Sequence, residues 1–302
     1  MDRMSAIVAD GDGFRLGQQP RPQRMEASDI VVEVARVSVN RGEFGFAWDS
    51  GAPAGWDAYG VVLETSEDGA GPSVGSRVST WAFSGAWAQY RVLDRVNVAI
   101  VPSGVRDETA AALPVAGLTA LRAVRQLGLA AGSSVAVTGA TGGVGHLAVQ
   151  LGVAAELNVT AVVRGDEGSK WLRANIIHPD ELILSVAELP RTPIFDAVID
   201  TVGGSVLSAV VQAVRPGGIV LLVGGASGST TTLNTADLVT RRIDLITYKD
   251  YSAAGKDLGF LLGKIERNEL SLHVSDGGRW ERIVDEPVDR LLSQGKTTLS
   301  VS

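Results

Sequence analysis

Val135-Ala136-Val137-Thr138-Gly139-Ala140-Thr141-Gly142-Gly143-Val144-Gly145-His146-Leu147 is the stretch whose reading decides the fold. It runs from a short apolar strand through small residues into the start of a helix. Such a turn lets the backbone approach a pyrophosphate, packs helix against strand, and faces the helix N-terminus toward the anion. Ala140, Gly142 and Gly145 take the three spacing positions, with alanine for the first glycine; Thr141, Gly143 and Val144 fill the rest of the turn. An ordinary loop is the competing reading in a chain with 36 glycines. The flanking strand and helix decide for a dinucleotide site.

Working outward, short apolar runs at 134–138, 159–164, 182–184, 196–200, 219–223 and 243–247 alternate with helical segments. Six such strands predict a doubly wound parallel sheet over residues 108–248. A helix enters it near Asp107, with Leu118, Leu121, Val124 and Leu127 at helical spacing and Gly128 as its stop. Residues 1–107 read differently. Runs at 5–9, 30–38, 59–64, 77–81, 86–93 and 97–101 are separated by Gly, Pro and Asp clusters, which is the pattern of a β-rich domain. Residues 249–302 hold one helix, 256–267, and one strand, 297–301, too little for a third domain, so this return segment is expected to pack on the β-rich half. The expected fold class is α/β: a Rossmann sheet plus a β-rich domain.

Composition narrows the function classes. A chain of 302 residues with 45% hydrophobic and 20% charged side chains is neither disordered nor fibrous. No apolar run reaches the ~18 residues of a membrane span, and the first twelve residues lack the features of a secretion signal, so a cytoplasmic location is expected. A net charge of -7 argues against a nucleic-acid surface. There is no cysteine, hence no disulfide, thiol nucleophile or thiolate-bound zinc. His146, His178 and His273 are dispersed without ligand spacing, and no metal is expected.

The glycine spacing also fits the short-chain dehydrogenases, but their chemistry needs a Tyr followed four residues later by Lys. None of Tyr59, Tyr90, Tyr248 or Tyr251 has it. With the β-rich half first, the chain instead resembles the zinc-independent medium-chain dehydrogenase/reductases, in their quinone oxidoreductase-like branch. The likeness rests on Val37-Ser38-Val39-Asn40-Arg41-Gly42-Glu43, Gly55-Trp56-Asp57-Ala58-Tyr59-Gly60, Val74-Gly75-Ser76-Arg77-Val78, Gly85-Ala86-Trp87-Ala88-Gln89-Tyr90 and Leu113-Pro114-Val115-Ala116-Gly117-Leu118-Thr119-Ala120. It continues through the glycine turn, Phe195-Asp196-Ala197-Val198-Ile199-Asp200, Arg215-Pro216-Gly217-Gly218 and Gly295-Lys296.

The resemblance implies a GroES-like substrate domain, a Rossmann domain, and hydride transfer from NADPH to a small apolar quinone or α,β-unsaturated carbonyl. It places Asn40 and Thr119 beside the nicotinamide as cofactor contacts and candidate catalytic residues. Zinc relatives carry Cys where Asn40 stands and His where Trp56 stands. The segment 44–55 is shorter than usual in that family, and Phe46 and Trp48 within it are the candidate pocket lining. Counting about 20 residues from Gly145 reaches Arg164, where an NAD-specific site needs a carboxylate; a guanidinium suits the 2'-phosphate of NADPH. Lys170 resembles the second phosphate contact of NADPH-using relatives. Gly224 and Gly225 follow a predicted strand on the ligand side of the sheet and are further cofactor candidates. The apolar strand 243–247 should lie at a sheet edge, and a homodimer is expected through it. Two other functions stay open: a cofactor-binding redox sensor or structural protein with little turnover, and an enoyl-thioester reductase.

Overall fold

The computed structural model describes residues 2–176 and 182–301, so His178 lies outside the described residues. The chain divides into two compact units, Met1–Leu118 with Tyr251–Ser302, and Thr119–Asp250.

In the first unit β1 (Arg3–Asp10) and β2 (Gly13–Pro20) form a hairpin in unbroken antiparallel register, turning at Gly11 with φ +59°. The strands β3 (Asp29–Val39), β4 (Asp57–Glu64), β5 (Arg77–Trp81), β6 (Tyr90–Asp94) and β7 (Val98–Ile100) follow. Helix α1 (Asp107–Leu127) runs out of this unit and into the next. Pro114 sits inside α1 and lacks the N–H that would bond the Ala110 carbonyl. Ser79 Oγ donates to that carbonyl instead, at 2.7 Å. The next N–H, Val115, donates to Asp57 Oδ1 at 3.3 Å. The proline thus ties α1 to β4 and β5.

The second unit holds β8 (Ser134–Thr138), α2 (Gly143–Ala154), β9 (Asn158–Val163), α3 (Asp166–Asn175), β10 (Leu182–Ser185), β11 (Phe195–Asp200), α4 (Gly204–Gln212), β12 (Val214–Leu222), α5 (Thr235–Arg241) and β13 (Asp244–Thr247). All its strands run parallel in the order β10-β9-β8-β11-β12-β13. That is the doubly wound Rossmann order, with its reversal point between β8 and β11. Ala136, Val162, Phe195, Val198, Val210 and Val220 share its core. The chain then returns through α6 (Gly255–Glu266), β14 (Val274–Arg279) and β15 (Lys296–Ser300), and β15 pairs antiparallel with β3. This completes a seven-stranded sheet whose core includes Val37, Val39, Trp87, Trp280 and Leu299.

Four strands depart from the sequence expectation. β2 and β14 were not foreseen, and β12 begins at Val214 rather than 219, taking Pro216-Gly217-Gly218 into the strand. β2 is drawn into pairing along its whole length by β1, whereas in β12 and β14 the glycines fall in a register irregularity between paired residues, 214 and 219 in the one and 276 and 279 in the other. β6 shows the reverse: the apolar run from 86 is strand only from Tyr90, because residues 86–88 pack as connecting backbone beside β1.

Candidate functional site

The sequence-predicted residues fall in two groups, one in each unit. In the second, Gly139 leaves β8 with φ +61°, and Gly142 caps α2. A Cβ on Gly145 would stand 2.7 Å from the Gly139 carbonyl carbon and 2.9 Å from Ala140 Cα, with the Gly139 oxygen closer still. A Cβ on Gly142 would meet the Gly139 oxygen at 3.2 Å. The turn is therefore built at backbone-on-backbone distance, and it presents the first N–H groups of α2, which have no partner within the helix. This cradle fits a dinucleotide pyrophosphate. Ala140 is fully buried, where a larger side chain has no space.

Residues not singled out by sequence hold that turn in place. Thr138 Oγ1 donates to Asp200 Oδ1 at 2.6 Å, and Thr201 Oγ1 donates to the Thr138 carbonyl at 2.9 Å. Asp200 Oδ2 also accepts from Gly203 N at 2.9 Å. These bonds clasp β8 to β11 at the reversal point. Burial raises the Asp200 carboxyl above its usual range, against the hydrogen bonds that pull it down. The signal was available in Phe195–Asp200, since a carboxylate ending a buried apolar strand needs donors.

Arg164 is exposed directly after β9, and Lys170 is exposed on α3. Neither makes an ion pair among the described residues. Gly224 and Gly225 follow β12, and Gly225 has open space around its Cα. Thr119 is half-buried on α1, and its hydroxyl bonds the Tyr248 phenol, which burial pushes up to about 12. A shallow cavity of ≈ 490 Å³ lined by Arg122, Arg125, Gln126, Lys249 and Asp250 contains none of the predicted residues.

In the first unit, Asn40 directly follows β3 and is 8% exposed. It lies in a buried polar network. Its Oδ1 accepts from Lys296 Nζ at 2.6 Å, and its Nδ2 donates to Asp57 Oδ2 at 3.2 Å. Asp57 Oδ2 accepts also from Ser38 Oγ at 2.8 Å, and Lys296 Nζ donates to the Val39 carbonyl at 3.1 Å. Glu43, in the 3-10 turn Arg41–Gly45, reaches back to accept from Asn40 N at 2.6 Å and from Trp56 N at 2.8 Å. Arg91 is buried nearby, bonded to the Trp56 and Ser84 carbonyls and to Thr80 Oγ1.

Burial disfavours charge throughout this network. It raises Glu43 to about 8, helped by Asp57, and raises Asp57 against the opposing pull of Lys296. It lowers Lys296, against the pull of Asp57 and Glu43, and lowers Arg91 to about 10. Glu43, Asp57 and Lys296 stand in motifs that carry the resemblance, but the ion pair of Asp57 and Lys296, at 3.8 Å, joins β4 to the last strand and is not legible from spacing.

Phe46 and Trp48 pack edge to face, with ring centroids 4.8 Å apart, and both lie against Trp56. Phe46 is 41% exposed and stacks nearly parallel on Phe83, 12° between planes with centroids 6.5 Å apart. Trp48 is anchored by a bond from Nε1 to the Glu43 carbonyl at 2.7 Å and packs on Phe14 and Trp87. Trp56 stands edge-on to Phe46, and Tyr251 from the return segment packs on Phe83. Among the described residues no group of His, Cys, Asp and Glu has the arrangement of a metal site.

The comparisons agree with this architecture. Residues 143–255 match the zinc-binding dehydrogenase family model. A phenolphthiocerol synthesis polyketide synthase of Mycobacterium bovis is 33% identical over 227 residues, 68% of this chain and 10% of that protein. Prostaglandin reductase-3 of Bos taurus is 27% identical over 216 residues, 67% of this chain and 57% of that protein. The chain thus spans a tenth of the one and just over half of the other. The quinone oxidoreductase of Coxiella burnetii superposes with a TM-score of 0.82 at 21% identity, covering 100% of both chains. The family match thus lies in residues 143–255, and over the whole chain the likeness is one of fold.

Proposed function

We propose that the chain is an NADPH-dependent, zinc-independent reductase of quinones or α,β-unsaturated carbonyls. The observation that carries the reading is the glycine cradle at the sheet's reversal point, followed one strand later by an exposed arginine instead of a carboxylate. Residues 139–145, with Gly224 and Gly225, would hold the dinucleotide backbone; Arg164 and Lys170 would meet the 2'-phosphate, and Asn40 and Thr119 the nicotinamide end. The cofactor supplies a hydride when bound. The protein orients the acceptor, excludes water and donates hydrogen bonds to the oxygen that gains charge. Solvent then protonates the resulting enolate, so no side chain has to act as acid. Asn40 and Trp56 occupy the places that a Cys and a His hold in zinc relatives, and a chain without cysteine cannot rebuild that ligand set.

The likeness to a polyketide synthase supports an enoyl thioester as a second acceptor class. The deciding experiment is NADPH oxidation by purified protein, without added metal, against quinones, enones and enoyl thioesters. Turnover of a quinone or enone with NADPH preferred over NADH is the expected result. Turnover confined to thioesters favours the second reading; none in any class refutes both and leaves a sensor.

A further inference from the structure

Lys296 belongs to the Gly295-Lys296 motif, which the proposed reaction leaves without a role. Its Nζ is buried, 2.6 Å from Asn40 Oδ1 and 3.8 Å from Asp57 Oδ2. An ammonium has only hydrogens to offer, so the Asn40 atom beside it is the amide oxygen, and the atom beside Asp57 is Nδ2. The flip state of this amide is therefore fixed by two opposite charges on its two ends. The oxygen is engaged. Of the two Nδ2 hydrogens, one points to Asp57, and the other has no partner among the described residues.

We infer that Lys296 is a positioning residue that locks Asn40 as a hydrogen-bond donor to the carbonyl oxygen of the acceptor. The inference rests on the reductase reading above. A cation on the amide oxygen draws electron density from the nitrogen and makes the remaining N–H a stronger donor. A donor fixed in advance costs no reorganisation when the acceptor oxygen gains charge. Asp57 sets the direction of the first N–H and thereby of the second. Glu43 completes the frame, because its two backbone acceptances hold the chain at Asn40 and Trp56.

The test compares wild type with Lys296→Met, Lys296→Arg and Asn40→Asp, measuring kcat and KM for the acceptor, Kd for NADPH by fluorescence, and Tm. Lys296→Met is expected to lower kcat at least tenfold with the NADPH Kd unchanged. Lys296→Arg should restore part of the loss, and Asn40→Asp, which removes the donor, should cost as much as Lys296→Met. A Lys296→Met protein that melts earlier but keeps the wild-type kcat overturns the inference and leaves the reductase reading standing. A wild type that reduces no quinone or enone overturns that reading itself.

A second measurement needs no variant. With selective ¹⁵N-asparagine labelling and NADP⁺ present, cyclohexanone, the saturated product of an enone, should shift one Asn40 Nδ2 proton downfield and leave its geminal partner in place. An unmoved pair in an enzyme that turns over the enone overturns the inference even where Lys296→Met does not fold.

Discussion

Replacing Gly145 by alanine tests the cradle directly. The added Cβ meets only backbone: the carbonyl carbon of Gly139 at 2.7 Å and Ala140 Cα at 2.9 Å, with the Gly139 oxygen nearer. Ordinary contact begins at 3.4 Å, and no flexible side chain stands in the way to yield. Relief requires the first turn of α2 to back away from the turn by roughly 1 Å, an overpacking strain of about 1–3 kcal/mol. The same shift withdraws the N–H groups facing the pyrophosphate, and a misplacement of about 1 Å can cost ~100-fold. The expected result is a Tm several degrees lower and a Kd raised at least tenfold for NADPH and NADH alike, since both carry the pyrophosphate. Calorimetry and nucleotide fluorescence titration read the two. Gly225→Ala is the control, because a Cβ there meets nothing within 4 Å and its φ is not positive; its Tm should match wild type. A Gly145→Ala protein with wild-type Tm and Kd would refute the reasoning.

Three further outcomes are expected. Arg164→Ala should raise the KM for NADPH several-fold and leave NADH nearly unchanged, because only the 2'-phosphate contact is lost; equal losses in steady-state assays with both cofactors would refute the assignment. Glu43, raised from 4.5 to about 8, contributes its stability in full below 4.5 and loses it as pH rises toward 8, at up to about 1.4 kcal/mol per pH unit. Glu43→Gln, facing the same Asp57, Lys296 and Arg91, should therefore show a flatter Tm profile between pH 5 and 8, and parallel melting curves would contradict this. A homodimer through β13, which lies at the sheet edge with Leu245 37% exposed, should sediment at twice 31.5 kDa, and Leu245→Lys should release the monomer; a wild type of 31.5 kDa at micromolar concentration argues against it.

Much of the Rossmann half was legible because a parallel sheet buried on both faces needs continuous β-branched runs, and the sequence supplies six. The β-rich half was less so. Strands β2 and β14 are interrupted by Gly, Gln, Ser and Asp, and they exist because β1 and β15 offer unpaired edges beside them, which is tertiary context rather than local pattern. At the site, Asn40 was legible as a position by resemblance but not as a state. Its two bonds come from Lys296, 256 residues away, and from Asp57, and no periodicity connects them.

That long-range closure explains why the return segment ends in the first unit. β15 pairs with β3 so that Thr297 stands opposite Val39, which brings Lys296, one residue earlier, to the end of β3 where Asn40 follows. A two-residue slip would keep every side chain of β15 on its present face but move the buried Leu299 along the core. It would also strand a buried ammonium away from its acceptors and leave Asp57 without its counter-charge. Breaking such a buried pair costs about 3–5 kcal/mol, comparable to the ladder bonds of a short strand. The network therefore selects the register of the last strand as well as the orientation of the Asn40 amide, and a Lys296→Met protein should show both effects: a lowered Tm from the loosened strand and an Asn40 side-chain resonance free to exchange between two orientations.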